Sequence, residues 1–201
     1  MRKAIHHLKK ADPVLAAIIE RCGPYKVQYR EPIFQTLVRS IIYQQLSGKA
    51  ALTIFNRVKD AANEDPLTPE SMLKMRPQKM RTLGLSKQKI EYIRELARKT
   101  RDGEIVFERL RELDDAEIIA QLTQARGVGV WTVQMFLIFA LKRLDVLPVA
   151  DLGVRSAMKR AYGMEELPNP AEMQKIAEPW RPYATVASWY LWRSLDNEGA
   201  M

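Results

Sequence analysis

The sequence predicts an all-α fold. Three observations carry that expectation: helix-start signals follow one another with little chain between them, apolar residues recur at three- and four-residue spacing in the longer segments, and nothing alternates convincingly at a period of two. With 201 residues, the chain can bury a real core, as one domain or as two closely packed halves.

The elements follow in order. Asp12-Pro13 is an N-cap with proline at the first helical position, and Gly23-Pro24 stops that helix. From Pro32 a second helix carries Phe34, Leu37, Val38, Ile41, Ile42 and Leu46 on one stripe. Ser47-Gly48 breaks the run, and Lys49 to Ala62 repeats the pattern through Leu52, Ile54, Phe55 and Val58. Thr68-Pro69-Glu70 opens a short helix to Met75, and Pro77 to Leu83 makes another. Ser86 caps a long helix with Ile90, Ile93, Leu96 and Ala97 on its buried face, ended by Gly103. The segment 104–110 reads as a brief extended piece without a partner strand. Asp114-Asp115 caps a helix that runs into Gly127-Val128-Gly129. The next helix is apolar on nearly every face and ends at Lys142-Arg143; a proline-bearing loop then delivers Asp151. Helices from Leu152 to Tyr162, after Asn169-Pro170 and from Pro182 complete roughly ten.

Composition narrows the class. Against 24 acidic residues stand 32 Lys and Arg, a net charge of +8, which favours a polyanionic partner: nucleic acid first, a membrane surface second. Cys22 is the single cysteine, so this chain holds no internal disulfide, cysteine zinc cage or four-cysteine iron–sulfur cluster. The N-terminal residues lack the apolar run of a signal peptide, and Val133 to Leu141 is far short of the ~20 residues of a membrane span. A soluble, intracellular protein is expected.

Two features carry chemistry. Two helices joined by Gly127-Val128-Gly129 form a helix-hairpin-helix, in which the glycines are expected to supply positive φ and to let a phosphate approach without a Cβ in the way. The amides of Gly129, Val130 and Trp131 would sit at the positive end of the following helix, with Val128 plugging inward. The same pattern also serves as a plain αα-corner. Asp151, just before a helix, reads by itself as an N-cap worth ~1 kcal/mol. A fixed carboxylate can equally oppose positive charge that develops on a sugar when an N-glycosidic bond breaks, or orient an attacking water.

Taken together, the run Leu122-Thr-Gln-Ala-Arg-Gly-Val-Gly-Val-Trp-Thr-Val-Gln-Met and the Asp151 beyond it resemble the helix-hairpin-helix (HhH-GPD) DNA glycosylase superfamily, in its 3-methyladenine DNA glycosylase II branch. Ser40-Ile-Ile-Tyr-Gln-Gln-Leu-Ser-Gly-Lys-Ala-Ala and Leu83-Gly-Leu-Ser-x-x-Lys-x-x-Tyr-Ile-x-x-Leu-Ala match in the same order. The resemblance spans about residues 30 to 195 and lacks the extra N-terminal sheet domain of the larger bacterial member, so the compact form is implied. It implies a two-lobed helical catalytic unit with a DNA cleft, lobe one over about 32–110 and lobe two over 1–31 plus 111–201.

Roles follow from the resemblance. Asp151 is implied as the catalytic aspartate, with Asp145 as a competitor better suited to a surface turn. Gln45 looks like the plug that fills the gap left by an extruded base, and Leu46 a neighbouring wedge; Ser47, Lys49 and the hairpin residues Gly127 to Thr132 would contact DNA. Trp131, Trp189 and Tyr190 would line the base pocket, where their rings favour cationic alkylated purines, and Met135 stands where a tyrosine can occur. Trp180 and Trp192 are assigned to the core, and Arg39, Arg155 and Lys159 are further basic candidates for phosphate contact. Members that cleave through a Schiff base carry a lysine just after the hairpin; Val130-Trp131-Thr132 has none, which implies a monofunctional glycosylase leaving an abasic site. The implied partner is double-stranded DNA with alkylated bases, met by a monomer in the nucleoid or nucleus. No cofactor or catalytic metal is expected, though such hairpins can hold a structural monovalent cation on backbone carbonyls. A non-catalytic DNA-damage binding module is the alternative.

Overall fold

The computed structural model describes residues 1–196, with the backbone alone at Asp196. Among these residues there are twelve α-helices, two 3-10 turns and no strand. They are α1 (Arg2–Ala11), α2 (Pro13–Cys22), α3 (Phe34–Tyr43), α4 (Gly48–Ala62), α5 (Pro69–Lys74), α6 (Pro77–Thr82), α7 (Lys87–Arg101), α8 (Asp115–Leu122), α9 (Val130–Phe139), α10 (Leu152–Ala161), α11 (Pro170–Ala177) and α12 (Ala184–Asp196). The all-α expectation holds.

The chain divides into two compact units, one of residues 30–136 and one of 1–29 with 137–201. This places 111–136 with 30–110, whereas the sequence suggested grouping them with the C-terminal helices. The reason lies in specific ties: Gln121 donates to the Glu104 carbonyl at 3.1 Å, Arg126 pairs with Glu95, and Phe107 meets Phe136 edge-on at 6.1 Å.

In the 30–136 unit, α7 packs against α3, α5 and α6, burying Leu37, Ile41, Met72, Met80, Ile93 and Leu96. Arg94 on α7 donates to the carbonyls of Met72, Leu73 and Met75 at 3.0–3.2 Å, satisfying the open end of α5. The expected extended piece at 104–110 is instead loop and a 3-10 turn at Phe107–Arg109. Phe107 is buried there between Phe34 and Phe136, and that packing decides the local backbone.

In the other unit, α12 packs on α2 and α10, and α1 on α2. α1 was not anticipated; Ala4 and Leu8, four residues apart, form its buried stripe. Asp12 ties the unit together. Its Oδ1 caps α2 through the Leu15 amide at 3.0 Å, and its Oδ2 accepts from the Tyr162 hydroxyl at 2.5 Å and Trp180 Nε1 at 2.8 Å. Burial and then the neighbouring Asp12 hold the Tyr162 hydroxyl above its ordinary titration range.

Candidate functional site

The hairpin is built as the sequence suggests, but its two glycines do different work. Gly127 has φ +83°, and a Cβ there would lie 2.1 Å from Cδ2 of Tyr92, so both backbone and space demand glycine. Gly129 has no positive φ, and a Cβ there would meet nothing within 4 Å. The expectation of positive φ at both positions is therefore corrected: Gly127 makes the turn, while Gly129 leaves an open approach to the start of α9. Val128 is 3% exposed and plugs inward as expected. The Val133 amide takes the Gly129 carbonyl at 3.1 Å, so the amides before it lie at the N-terminal end of α9, where a helix attracts anions. Val130 and Trp131 stand exposed beside them. Of the turn's carbonyls, Gly127 accepts from Gln44 Nε2 at 2.8 Å and Ala125 from the Val128 amide at 3.1 Å. Each of those two carbonyls therefore already accepts one hydrogen bond.

Beside the hairpin, a cavity of about 410 Å³ is lined by Trp131, Thr132 and Met135 from α9 and by Arg39, Ser40, Tyr43, Gln44 and Gln45 from α3 and its end. Trp131 and Met135, four apart on one helical face, come together in its wall. Arg39 lies 3.8 Å over the Tyr43 ring, adding a cation and an aromatic face that sequence reasoning had not placed here.

The corner after α3 carries Gln45, Leu46 and Ser47. The helix stops at Tyr43, so Leu46 does not continue the buried stripe that its spacing suggested; it is exposed. Gln45 takes φ +56°, a left-handed conformation uncommon for a residue with a side chain, which turns the chain out of the helix. Ser47 caps α4 through the Ala50 amide at 3.4 Å, and Lys49 is exposed in the first turn of that helix.

The carboxylate belongs to the other unit. Asp151 is 9% exposed and caps α10, with Oδ1 accepting from the Val154 amide at 2.8 Å. The same Oδ1 accepts from Trp192 Nε1 at 2.8 Å. Trp192 in turn stacks on Phe139, with ring centroids 5.9 Å apart and planes at 27°. Gly153 makes room for this pair: a Cβ there would come within 3.0 Å of Trp192 and 3.1 Å of Asp151 Oδ1. Trp192, expected only to fill the core, is thus a partner of the candidate carboxylate. Its position one helix turn before the last residue of α12 gave no sign of that contact.

Other candidates fall away. Asp145 is committed to structure: its carboxylate accepts from the Ala184 amide at 3.1 Å and pairs with Arg181 at 3.0 Å, clasping the start of α12. Tyr190 is 0% exposed, and its hydroxyl donates to the Gly23 carbonyl at 3.1 Å. Burial raises its titration range, and the residue serves the core of its unit, which corrects its assignment to a base pocket. Trp189, also largely buried, packs on Tyr25 at 4.7 Å and edges a separate cavity of about 330 Å³ with Cys22 and Lys26. Trp180 is in the core as predicted. Arg155 donates to the Pro168 carbonyl at 3.0 Å. Among the described residues no group of three or more His, Cys, Asp or Glu gathers as a metal site, and no helix is long and apolar enough to cross a membrane.

Comparison with known proteins gives a consistent result. Residues 38–182 match the model of the HhH-GPD superfamily base excision DNA repair proteins. The chain is 36% identical over 200 residues to DNA-3-methyladenine glycosylase 1 of Schizosaccharomyces pombe, covering 96% of this chain and 87% of the relative. The solved structure of the Schizosaccharomyces pombe 3-methyladenine DNA glycosylase in complex with abasic DNA superposes with a TM-score of 0.86 at 36% identity, over 96% of this chain and 97% of that one. A DNA-3-methyladenine glycosidase from Bacillus halodurans gives a TM-score of 0.87 at 35% identity, over 98% and 90% of the two chains.

Proposed function

The chain belongs to the HhH-GPD superfamily of base excision DNA repair proteins, and from that premise we propose that it is a DNA glycosylase that extrudes alkylated purines of the 3-methyladenine type and hydrolyses their N-glycosidic bond. The observation that carries the reading is the carboxylate of Asp151, buried, fixed at a helix start and held by an indole donor, in a chain that also carries the glycine hairpin. The start of α9 grips a backbone phosphate through its amides; this fixes position and carries no sequence information. Lys49 and Ser47, at the start of α4, add contacts along the backbone. With the base extruded, Gln45 fills the vacated stack and Leu46 wedges beside it. The cavity walled by Trp131 and Met135 receives the base, and Trp131 offers its face to a ring that alkylation has made cationic.

Asp151 then acts on the sugar. As the glycosidic bond lengthens, positive charge builds on the deoxyribose, and a carboxylate already in position opposes it without reorganisation. The same group orients or deprotonates the water that adds to the sugar. Among the described residues the cavity's lining includes Arg39 but no lysine, and Val130-Trp131-Thr132, just after the hairpin, offers no Schiff-base nucleophile. We therefore assign a monofunctional reaction that ends at an intact abasic site. The enzyme works as a monomer on double-stranded DNA in the nucleoid or nucleus, without a cofactor, and a monovalent cation on the hairpin carbonyls would serve structure alone.

Incubation with methylated genomic DNA tests this by product identity. Free 3-methyladenine should appear, and the strands should break only on later alkali treatment. Strands nicked by the enzyme alone, with a protein–DNA adduct trapped by borohydride, would contradict the monofunctional assignment.

A further inference from the structure

The motif Leu83-Gly-Leu-Ser-x-x-Lys-x-x-Tyr has no role in the reaction above, yet its Lys89 and Tyr92 stand beside both DNA-facing elements of their unit. Lys89 Nζ donates to the carbonyls of Ile42 and Gln44, each at 2.7 Å, taking up the open end of α3. Its ammonium is partly withdrawn from water there, and that burial lowers its titration range. Three residues on, on the same face of α7, the Tyr92 ring fills the space that a side chain at Gly127 would need. Gln44 closes the set. A carbonyl can only accept, so the Gln44 amide nitrogen donates to the Gly127 carbonyl, at 2.8 Å. One face of α7 thus fixes the corner that carries Gln45 and Leu46, fixes the hairpin turn, and leaves Gln44 bonded across the two.

The left-handed backbone of Gln45 fits this picture. A residue with a side chain disfavours that conformation and needs its surroundings to impose it. The flanking carbonyl held by Lys89 and the side chain held by Gly127 do so immediately before it.

Resting on the glycosylase reading, we propose that Gln44, held by Lys89, is a positioning residue that sets the reach of Gln45 and Leu46 into the duplex relative to the phosphate gripped by the hairpin. It makes phosphate grip and base extrusion one rigid operation. Its effect therefore belongs to extrusion, not to bond cleavage.

The test compares single-turnover base release from two duplexes with the same lesion, one fully paired and one with an abasic gap opposite, where extrusion costs little. Gln44→Glu keeps the shape but replaces the donor with a second acceptor. It should lower release from the paired duplex by about tenfold to a hundredfold and from the gapped duplex by less than about threefold, with the thermal midpoint little changed. Lys89→Met should reproduce this split, and Lys89→Arg, which keeps donors for both carbonyls, should return release from the paired duplex toward the wild-type rate. Equal losses on both duplexes, or no loss on the paired one, would overturn the positioning role. A wild-type chain that releases no base from either duplex would overturn the glycosylase reading itself, so the two failures are distinguishable.

Discussion

At Asp151 a single oxygen accepts from a backbone amide and from an indole, so the carboxylate is fixed before substrate arrives. Trp192→Phe keeps the ring against Phe139 and removes only the donor. Base release should fall by about ten- to a hundredfold while affinity for an abasic duplex and the thermal midpoint stay nearly constant. Single-turnover rates beside binding isotherms check this; parallel losses in rate and binding would mean that the indole only fills space. The two hairpin glycines make a second contrast. Gly127→Ala drives a methyl into Tyr92 and should cost about 2–4 kcal/mol of stability in urea unfolding. Gly129→Ala meets open space, so stability should stay within about 0.5–1 kcal/mol, while the proposed phosphate grip at the start of α9 predicts that DNA affinity falls several-fold.

Among the elements, α2 is tied through its cap to two distant ones. Asp12→Ala strands the Trp180 and Tyr162 donors and opens the cap together, and it should destabilise the chain by about 3–5 kcal/mol in denaturant titration; Tyr162→Phe, losing one bond, should cost about 1 kcal/mol. The cap was legible in the sequence: Asp12-Pro13, Ser86, Asp114, Asp151 and Asn169 all start helices where local chemistry says they should. Partners across the fold were not, because nothing local at Trp180 or Trp192 records which carboxylate its indole will meet. The same limit explains the segment 104–110, where β-prone residues yielded to the burial of Phe107, and Leu46, whose helical spacing outran the helix that Lys89 terminates. α1 went unread since its polar residues outnumber a stripe of two buried positions. At the site, hairpin and carboxylate were recognisable from motif and order, whereas Arg39 and Tyr43 joined the cavity wall through tertiary packing alone.

For the whole molecule, the net charge of +8 fits a polyanionic partner, and duplex affinity should fall steeply and log-linearly with salt. Alkaline pH exposes a second global property. Burial pushes Tyr162, Tyr25 and Tyr190 above the ordinary tyrosine value of 10.0, whereas in the unfolded chain they titrate near it. Their folded values are raised, so the stability they contribute is complete below about pH 10 and is lost as pH climbs past it toward those values. Denaturant midpoints at about pH 8 and about pH 11 should show that loss, and Tyr162→Phe should reduce it. The proposed reaction turns on the Asp151 carboxylate. The direct measurement is release of 3-methyladenine from methylated duplex DNA by Asp151→Asn, beside its affinity for an abasic duplex. Loss of release with binding and fold retained is the expected result; release at the wild-type rate would contradict the account.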